Sequence, residues 1–392
     1  MIVGIDVSSA ASSSISGVGY HTINLVQQMD EIADERFRFV LFYCPEDKDD
    51  TERLRERFLV SDRVSLQRVW FPKTRFSKIR RLKDRVVWRH VVQRASCDLF
   101  HGIAHLVPGG VGCKKIVTIH DLAFFDFDLY DEAFNSALRG RVEHSVQNAD
   151  SVICLSENTR RDLERLLHRS EDVSVIYGAG NYASAADRLV GPNDAADLRR
   201  DFGIANRYVL YVGDFGSRKN LPYLINAFAR YQATSPERRL QLVLVGNCKD
   251  AKAGLMDCAR SAGVASGDIV FTGRISDDQI KLVYRNAHVF VLPSLAEGFT
   301  LVTLEAMSFG VPVIATDTSS ISEGTGDAAK LVPVDDVDAF SHAIRDVTSE
   351  TKLRDGMTRK GFERVARFSW ESAAQQTLEL YQETIGPSAD LS

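Results

Sequence analysis

Short apolar runs alternate with amphipathic stretches along the first half of the chain. The apolar runs have the length of β-strands, and the stretches between them carry apolar residues at helical spacing. Alternation of this kind, with continuous apolar strands, is typical of a parallel sheet covered on both faces by helices. The predicted strands are 2–5, 37–43, 64–70, 98–101, 116–119 and 151–155, and the predicted helices are 18–30, 77–95, 133–147 and 157–168.

The same alternation begins again after a polar stretch at 183–197 that is rich in Ala and Asp. The predicted strands here are 208–212, 240–245, 269–272, 289–292 and 313–315, separated by helices at 219–233, 250–262, 276–286, 302–309 and 336–348. We therefore predict an α/β protein with two doubly wound domains in tandem, at 1–188 and 189–370. A terminal helix at 371–392 is expected to pack back on the first domain.

Composition indicates the class of protein but does not indicate which reaction or ligand is involved. The 392 residues are 44% hydrophobic and 26% charged, with a net charge of −5, which are ordinary values for a soluble globular protein. This charge balance is no sign of a nucleic-acid partner. The chain has no apolar run of 18 residues and no basic leader before its first strand, so we expect a cytoplasmic protein. None of its six cysteines forms C-x-x-C, which favours reduced thiols over disulfides or zinc.

The strongest candidate site follows the predicted strand at 289–292. Glu297 lies in the turn after this strand, and Glu305 comes eight residues later, about two turns into the next helix. Free amides at the start of a helix favour anionic or hydroxyl-rich ligands, and carboxylates accept hydrogen bonds from paired sugar hydroxyls. The spacing alone is equally compatible with a Glu297 that caps the helix and an exposed Glu305.

A second candidate is the pair of adjacent cations Arg218 and Lys219, on the glycine-containing loop after the strand at 208–212. Arg offers forked hydrogen bonds and Lys a compact charge, so the pair suits a diphosphate. The structural alternative is a solvated basic turn, which is common.

A third candidate is Gly17-Val18-Gly19, just before a helix that we expect to begin near Tyr20. A dinucleotide fingerprint would place G-x-G-x-x-G directly after the first strand. Here the glycines come 11 residues after Asp6, and position 22 is Thr, so an NAD site is disfavoured. A loop that brings backbone amides close to a phosphate fits better.

The fourth candidate is His120-Asp121, which follows the strand at 116–119. A lone histidine is more often structural than catalytic. An adjacent His and Asp at the carboxyl end of a strand is nevertheless a typical position for site residues.

Taken together, these segments resemble the family 4 retaining glycosyltransferases, which have the GT-B architecture of two Rossmann-like domains facing across a cleft. The chain looks similar to bacterial O-antigen and exopolysaccharide mannosyltransferases over nearly its whole length. The resemblance is carried by Gly17-Val18-Gly19, His120-Asp121, the segment 155–159, Arg218-Lys219-Asn220, the E-x7-E pair Glu297 and Glu305, the segment 306–313 and Trp370.

The resemblance implies a role for each matching position. Glu305 would bind the ribose hydroxyls of a nucleotide sugar, and Glu297 with the amides after it would hold the donor sugar. Arg218 and Lys219 would neutralise the diphosphate, and His120 would act on the donor sugar from the first domain. The other implied donor-binding positions are Gly17, Gly19, Asp121, Gly298, Phe299, Thr300 and Leu301.

Two positions depart from the family pattern. The family often has Gly where this chain has Thr300, so a side chain is added near the donor sugar. Many members have Arg, Ser or Thr where Asp214 stands, and an acid close to a diphosphate is unfavourable unless it turns away.

A basic and aromatic stretch at 70–94 carries nine Lys or Arg against one acid, a net charge of +8. A solvated helix face and nucleic-acid binding are two interpretations of it. The third, which we favour, is an anionic membrane surface, since it accounts for both the cations and the aromatic rings. The residues assigned to this membrane or acceptor patch are Lys73, Arg75, Lys78, Arg80, Arg81, Lys83, Arg85 and Trp88.

The resemblance implies a retaining hexosyltransferase, and the basic stretch leads us to expect it at the inner face of the cytoplasmic membrane. Mannose from GDP-mannose is the first choice of donor, and a lipid-linked saccharide or a polysaccharide is the expected acceptor. We expect no metal cofactor, because Arg218 and Lys219 can neutralise the diphosphate and Asp126-Phe127-Asp128 does not directly follow a strand. A non-catalytic nucleotide- or glycan-binding protein and a sugar-nucleotide epimerase are the alternatives.

Overall fold

The structure is a computed structural model. It describes residues 1–13, 15–58, 61–70, 77–127, 129, 132–182, 188–189, 191, 193–205, 207–235, 240–248 and 250–386, with the backbone alone for 77–85. The chain divides into two compact units. The first comprises Met1–Gly178 with Ser369–Ser392, and the second comprises Ala179–Phe368. The sequence placed these boundaries at 188 and 370.

The first unit is built on a parallel sheet of seven strands in the order β3-β2-β1-β4-β5-β6-β7. Its strands are β1 (Ile2–Asp6), β2 (Arg38–Tyr43), β3 (Val64–Arg68), β4 (Leu99–Gly102), β5 (Lys114–Ile119), β6 (Ser151–Cys154) and β7 (Val173–Val175). Six of these were predicted, and β7 is an additional short edge strand. Strand order reverses between β1 and β4, so the loops after these two strands diverge at the carboxyl edge of the sheet.

Six helices of the first unit connect these strands. They are α1 (Gly17–Ile32), α2 (Asp50–Phe58), α3 (Ser77–Arg94), α4 (Ala123–Asp126), α5 (Glu132–Asn148) and α6 (Glu157–Leu167). Helix α1 turns Leu25, Val26 and Met29 inward against the strands, which is the face that its apolar spacing predicts. On the other side of the sheet, Phe42, Phe100 and Val117 share a core with the helices there.

The second unit repeats the plan with a parallel sheet of six strands in the order β10-β9-β8-β11-β12-β13. Its strands are β8 (Tyr208–Val212), β9 (Gln241–Val245), β10 (Ile269–Gly273), β11 (Val289–Leu292), β12 (Val313–Thr316) and β13 (Ala329–Val332), of which β13 was not predicted. Its helices are α7 (Asp194–Phe202), α8 (Leu221–Thr234), α9 (Lys252–Ser261), α10 (Asp277–Arg285), α11 (Leu301–Ser308), α12 (Ile321–Thr325), α13 (Val337–Ser349) and α14 (Thr351–Val365).

The last helix, α15 (Trp370–Ile385), returns to the first unit, as predicted. Ser369 caps it by accepting a hydrogen bond from the amide of Ser372 at 3.0 Å. The helix packs along α1. The hydroxyl oxygen of its Tyr381 is hydrogen-bonded to Nδ1 of His101 at 2.6 Å. The α/β class, the two doubly wound units and the returning helix are therefore confirmed.

None of the helices in the described parts of the chain combines the length and the apolar content that a membrane-spanning segment needs. The six cysteines, all of which fall within described residues, are free thiols.

Candidate active site

The two central strands of the second sheet bring the main candidate residues together. β8 and β11 are hydrogen-bonded neighbours at the point where the strand order reverses, so the loops that follow them adjoin. The amide of Leu295, on the loop after β11, donates to the carbonyl oxygen of Arg218 at 2.8 Å. Residues that lie about 80 positions apart in sequence are thereby fixed side by side.

Glu297 forms a buried ion-paired cluster with both cations. Its Oε2 accepts from Arg218 Nη1 at 2.9 Å, and its Oε1 accepts from Lys219 Nζ at 2.7 Å and from Ser294 Oγ at 2.5 Å. Burial alone would raise the pKa of Glu297, but the charges of Lys219 and Arg218 lower it to about 2. The carboxylate is therefore ionised at neutral pH. The alternative of a solvated basic turn is wrong, because Lys219 is only 8% exposed.

Glu305 is a second buried carboxylate of the candidate site and lies on α11. Tyr284 donates its hydroxyl to Oε2 at 2.9 Å, and the Asn181 side-chain amide donates to Oε1 at 2.5 Å. Burial raises the pKa of Glu305 to about 7, although the hydrogen bonds from Tyr284 and from the side chain and backbone of Asn181 lower it. The alternative of an exposed Glu305 is wrong, since the residue is 4% exposed.

Sequence reasoning missed the three residues that surround Glu305. Tyr284 comes from α10, and Asn181 and Gly180 come from the segment that precedes the second sheet. A Cβ atom on Gly180 would lie 3.2 Å from the Glu305 amide, so the close approach of the two segments favours glycine there. The only available signal was a glycine next to an amide residue in the stretch between the domains.

The turn at the start of α11 holds the remaining predicted donor-binding residues of this unit. Gly298 is buried, Phe299 packs edge-on against Phe368, and Leu301 begins the helix. Thr300 is 1% exposed, and its Oγ1 lies 2.9 Å from Thr303 Oγ1. A Cβ atom on Gly324 would meet Thr300 Oγ1 at 2.3 Å. The extra side chain is thus accommodated inside the unit by a glycine opposite it.

Asp214 lies on the loop that carries the two cations, but its carboxylate is directed into its own turn. Oδ1 accepts a hydrogen bond from the amide of Gly216 at 2.9 Å, and the Asp214 carbonyl accepts from Tyr211 Oη at 2.6 Å. The Asp214 carboxylate therefore closes its own loop. An acid that turns away in this manner does not conflict with a diphosphate site on the same loop.

In the first unit, His120 directly follows β5 and is buried. Its Nε2 lies 2.7 Å from the carbonyl oxygen of Ile103. Because a carbonyl only accepts hydrogen bonds, Nε2 carries the proton and Nδ1 carries the lone pair. Burial, followed by the neighbouring rings of His21 and His105, holds the pKa of His120 well below its usual range. The ring is neutral and its tautomer is fixed.

Other imidazoles surround His120, and none of them was predicted to belong to the site. The ring centroids of His21 and His105 lie 4.9 Å and 5.2 Å from that of His120. Neither ring nitrogen of His21 has a partner among the described residues, and burial lowers the pKa of His21 to about 4. Trp370 of α15 packs edge-on against His21 at 5.2 Å. The terminal helix therefore helps to enclose the surroundings of His120.

The two glycines of the first unit lie inside a helix, whereas Asp121 follows β5 as predicted. α1 begins at Gly17, not near Tyr20, so both glycines lie in its first turn. The Gly19 amide donates to the capping Ser16 hydroxyl at 3.2 Å, and a Cβ there would lie 2.5 Å from the carbonyl oxygen of Ser9. Gly17 has open space around it. Asp121 Oδ1 accepts from the amide of Ala123 at 3.0 Å.

The predicted membrane patch is described only in part. Lys73 and Arg75 lie outside the described residues, and Lys78, Arg80, Arg81, Lys83 and Arg85 lie on α3 where the backbone alone is described. The inclusion of Trp88 was wrong. Its indole is 7% exposed and packs edge-on against Phe42 and Phe100, because the inner face of α3 needs a large ring to fill the core.

Two sequence families match the two halves of the chain. Residues 15–179 match the family described as Glycosyltransferase Family 4, and residues 206–350 match the family described as Glycosyl transferases group 1. The matched segments contain His120 in one half, and Arg218, Lys219, Glu297 and Glu305 in the other.

Similar characterised proteins include two bacterial mannosyltransferases. The O-antigen chain mannosyltransferase B of Escherichia coli is 28% identical over 288 residues, which cover 72% of this chain and 74% of the relative. The phosphatidyl-myo-inositol mannosyltransferase of Mycolicibacterium smegmatis is 30% identical over 239 residues, which cover 60% of this chain and 57% of the relative. The chain thus spans less than two thirds of the second relative.

Solved structures share the fold over nearly the whole chain. Sucrose-phosphate synthase from Thermosynechococcus elongatus has a TM-score of 0.76 at 20% identity, with 98% of each chain covered. Anabaena HepE, in complex with UDP-glucose, has a TM-score of 0.76 at 19% identity, with 97% of this chain and 99% of that chain covered. With a glycosyltransferase family matched in each half and the fold shared throughout, the chain belongs to the family 4 glycosyltransferases, which are nucleotide-sugar-dependent hexosyltransferases.

Proposed function

We propose that this glycosyltransferase moves mannose from GDP-mannose to a lipid-linked saccharide or a polysaccharide, with retention of the anomeric configuration. The acceptor is held beside an anionic membrane at the cytoplasmic face. The proposal rests on the chemistry of the second unit and on the names of the related mannosyltransferases.

The observation that carries the proposal is the pair of buried carboxylates Glu297 and Glu305. Glu297 lies in the turn before α11 and Glu305 lies on that helix. Their different surroundings nevertheless give them pKa values of about 2 and about 7. Glu297 is ionised at neutral pH and accepts from two cations and a serine, whereas Glu305 is partly protonated and accepts from neutral donors. Such a division suits a ligand with a charged, sugar-bearing end and a neutral diol end, which describes a nucleotide sugar.

Glu305 receives the ribose in this proposal. A carboxylate has about four lone-pair positions. The side chains of Tyr284 and Asn181 occupy one on each oxygen, and the backbone amide of Asn181 also donates to the carboxylate. The remaining acceptor capacity is available to the ribose hydroxyls. These hydroxyls donate to the ionised form, so nucleotide binding favours loss of the Glu305 proton.

Arg218 and Lys219 stabilise the leaving group. In the proposed step, the bond between the anomeric carbon and the diphosphate oxygen breaks while the acceptor oxygen bonds to the same face of the sugar. The acceptor's proton passes to the departing phosphate oxygen. Negative charge develops on the diphosphate, where two cations already ordered by Glu297 lower its energy without reorganisation. No metal ion is required for this step.

Glu297 and His120 orient the donor sugar. The Glu297 carboxylate accepts from a sugar hydroxyl and keeps both cations in place before the donor arrives. His120 is neutral with its proton on Nε2, so its Nδ1 accepts from a hydroxyl of the donor sugar.

A donor screen followed by a transfer assay tests the proposal. A ligand at 100 times its dissociation constant stabilises a protein by about 2.7 kcal/mol, so thermal shifts with GDP-mannose, UDP-glucose, ADP-glucose and dTDP-glucose rank the donors. UDP-glucose is the main competitor, because Anabaena HepE was solved with it. Transfer is then assayed with the donor that stabilises most, and the new linkage is read by NMR. Stabilisation by GDP-mannose without transfer or hydrolysis would contradict the enzymatic role, and an inverted product would contradict retention.

A further inference from the structure

A hydroxyl-rich loop next to the Glu297 turn holds that turn in place. β11 and β12 pair in parallel, with Leu292 opposite Ala315, so the segments that follow them lie side by side. Four hydroxyl side chains occur within five residues at 316–320, which we call the hydroxyl loop. The only other residue of this loop is Asp317.

Each hydroxyl of the loop bonds the backbone of the turn at 294–297. Three of the four donate to its carbonyl oxygens, and the fourth accepts from its amide. The bonds are Thr316 Oγ1 to Ser294 O at 2.5 Å, Thr318 Oγ1 to Leu295 O at 3.0 Å, Ser320 Oγ to Glu297 O at 2.9 Å and Glu297 N to Ser319 Oγ at 2.8 Å. Glu297 thus has both of its backbone polar groups bound by consecutive serines.

Ser319 makes its bond from an unfavourable backbone conformation. Its φ is +48°, in the left-handed region that side-chain-bearing residues other than Asn and Asp seldom occupy. Such strain persists when the surroundings over-determine it, and it often marks a functional position. A move of φ out of this region would swing the Cα–Cβ bond and carry the hydroxyl away from the Glu297 amide.

The position of the Glu297 carboxylate depends on this backbone. Its two oxygens meet Arg218, Lys219 and Ser294 at 2.5–2.9 Å, a geometry that a small shift of the turn would break. We propose that Ser319 is a positioning residue for catalysis, which fixes the Glu297 amide and so places the carboxylate among the two cations and the donor sugar. The inference rests on the proposed function, in which Glu297 touches that sugar.

The Ser319→Gly variant separates positioning from stability. Glycine removes the hydroxyl but relieves the positive φ, so the loss of the hydrogen bond is partly offset and the melting temperature changes little. We expect kcat to fall about tenfold, with the donor KM within about twofold of the wild type, because a displaced reacting group mainly affects the transition state. Amide hydrogen exchange across 293–300 should become about tenfold faster as the turn loosens.

Two further variants serve as controls. Ser319→Asn retains an acceptor and tolerates the left-handed region, so it should recover a large part of the lost kcat. His168→Gly relieves a φ of +52° at the end of α6 in the first unit, and should leave kcat and exchange across 293–300 unchanged.

A Ser319→Gly variant with wild-type kcat, or with unchanged exchange across 293–300, would overturn the inference. A wild type that transfers no sugar from any nucleotide donor would overturn the proposed function instead. In that case exchange alone decides on Ser319, since faster exchange in the Gly variant still supports its hold on the turn.

Discussion

The hydroxyl of Tyr284 lies 2.9 Å from Oε2 of Glu305, with the phenol donating to the carboxylate. The ring of Tyr284 stacks on Phe309 with centroids 5.5 Å apart, which fixes the direction of the hydroxyl. Burial raises the pKa of the Glu305 carboxyl group and the hydrogen bond from Tyr284 lowers it, and burial has the larger effect. Glu305 is therefore a group whose protonation depends on whether a ligand supplies further donors.

The first prediction concerns donor affinity. Glu305→Ala leaves two ribose hydroxyls without an acceptor, so we expect nucleoside binding to weaken by about 1.5–3 kcal/mol. Titration calorimetry with guanosine and GDP measures this loss. Glu363→Ala is the matched control, because that exposed glutamate lies on α14 of the same unit. An unchanged affinity in the folded Glu305→Ala protein would contradict the assignment.

The second prediction concerns protons. The folded pKa of Glu305 is about 7, and hydrogen bonds from ribose favour the ionised form, so binding lowers this pKa and releases protons near neutral pH. Affinity for guanosine should therefore rise with pH and level off above about 7. Calorimetry in two buffers of different ionisation enthalpy counts the protons, and guanosine avoids titration of a phosphate. Glu305→Gln should show no release at this site, and equal release from both proteins would exclude Glu305 as the source.

The third prediction separates leaving-group stabilisation from ground-state binding. Arg218→Ala and Lys219→Ala should each lower kcat by about 10²–10³-fold, because each removes a donor to charge that develops in the transition state. Guanosine, which has no phosphate, should bind to these variants with nearly wild-type affinity. Arg260→Ala, at an exposed ion pair of the same unit, is the control and should leave both quantities unchanged. A parallel loss of guanosine affinity would indicate that the pair mainly supports the fold.

The fourth prediction concerns the membrane. Each basic residue near an anionic surface contributes about 1 kcal/mol, so the wild type should float with anionic vesicles at low salt. Salt screens the attraction between charges that lie farther apart than the Debye length, which is about 8 Å at physiological ionic strength. This binding should therefore weaken as the salt concentration rises. Arg80→Glu with Arg81→Glu should abolish flotation but preserve transfer to a short soluble acceptor.

The control for this experiment carries the same charge change elsewhere. Arg199→Glu with Arg200→Glu alters an adjacent pair of exposed arginines on α7 of the second unit, and should leave flotation intact. If the wild type does not bind anionic vesicles at low salt, the basic stretch is a solvated face or a partner site, and the membrane assignment is wrong.

The sequence predicted strands and helices well where their inward faces are continuous. It missed α2, in which Leu54 and Phe58 are the only buried apolar residues among charged ones. It also missed β7, a three-residue edge strand without a fully buried side chain. Both elements are stabilised by packing against neighbouring strands and helices, and these neighbours cannot be recognised from the local sequence pattern.

The site was predictable in its residue types but not in its pairing. Spacing after strands pointed to Glu297, Arg218 and Lys219 separately, yet their single ion-paired cluster depends on the neighbouring positions of β8 and β11 in the sheet. The partners of Glu305 could not be predicted for a similar reason, since Asn181 lies 124 residues away. Trp88 was misassigned because the sequence places an aromatic ring on this helix but does not show whether the ring lies on the buried face or the exposed face.

The return of α15 to the first unit sets an order for folding during synthesis. The second unit emerges from the ribosome before α15, so its sheet can close while the first unit still lacks a helix. Until α15 arrives, the side of α1 that carries Leu25 and Met29 has no cover from Ala374, Leu378 and Tyr381. A nascent chain thus presents an apolar groove for as long as some 190 residues take to be made, about 10–40 seconds at ordinary elongation rates. Of the two units, the one that is translated first is therefore the one that is completed last.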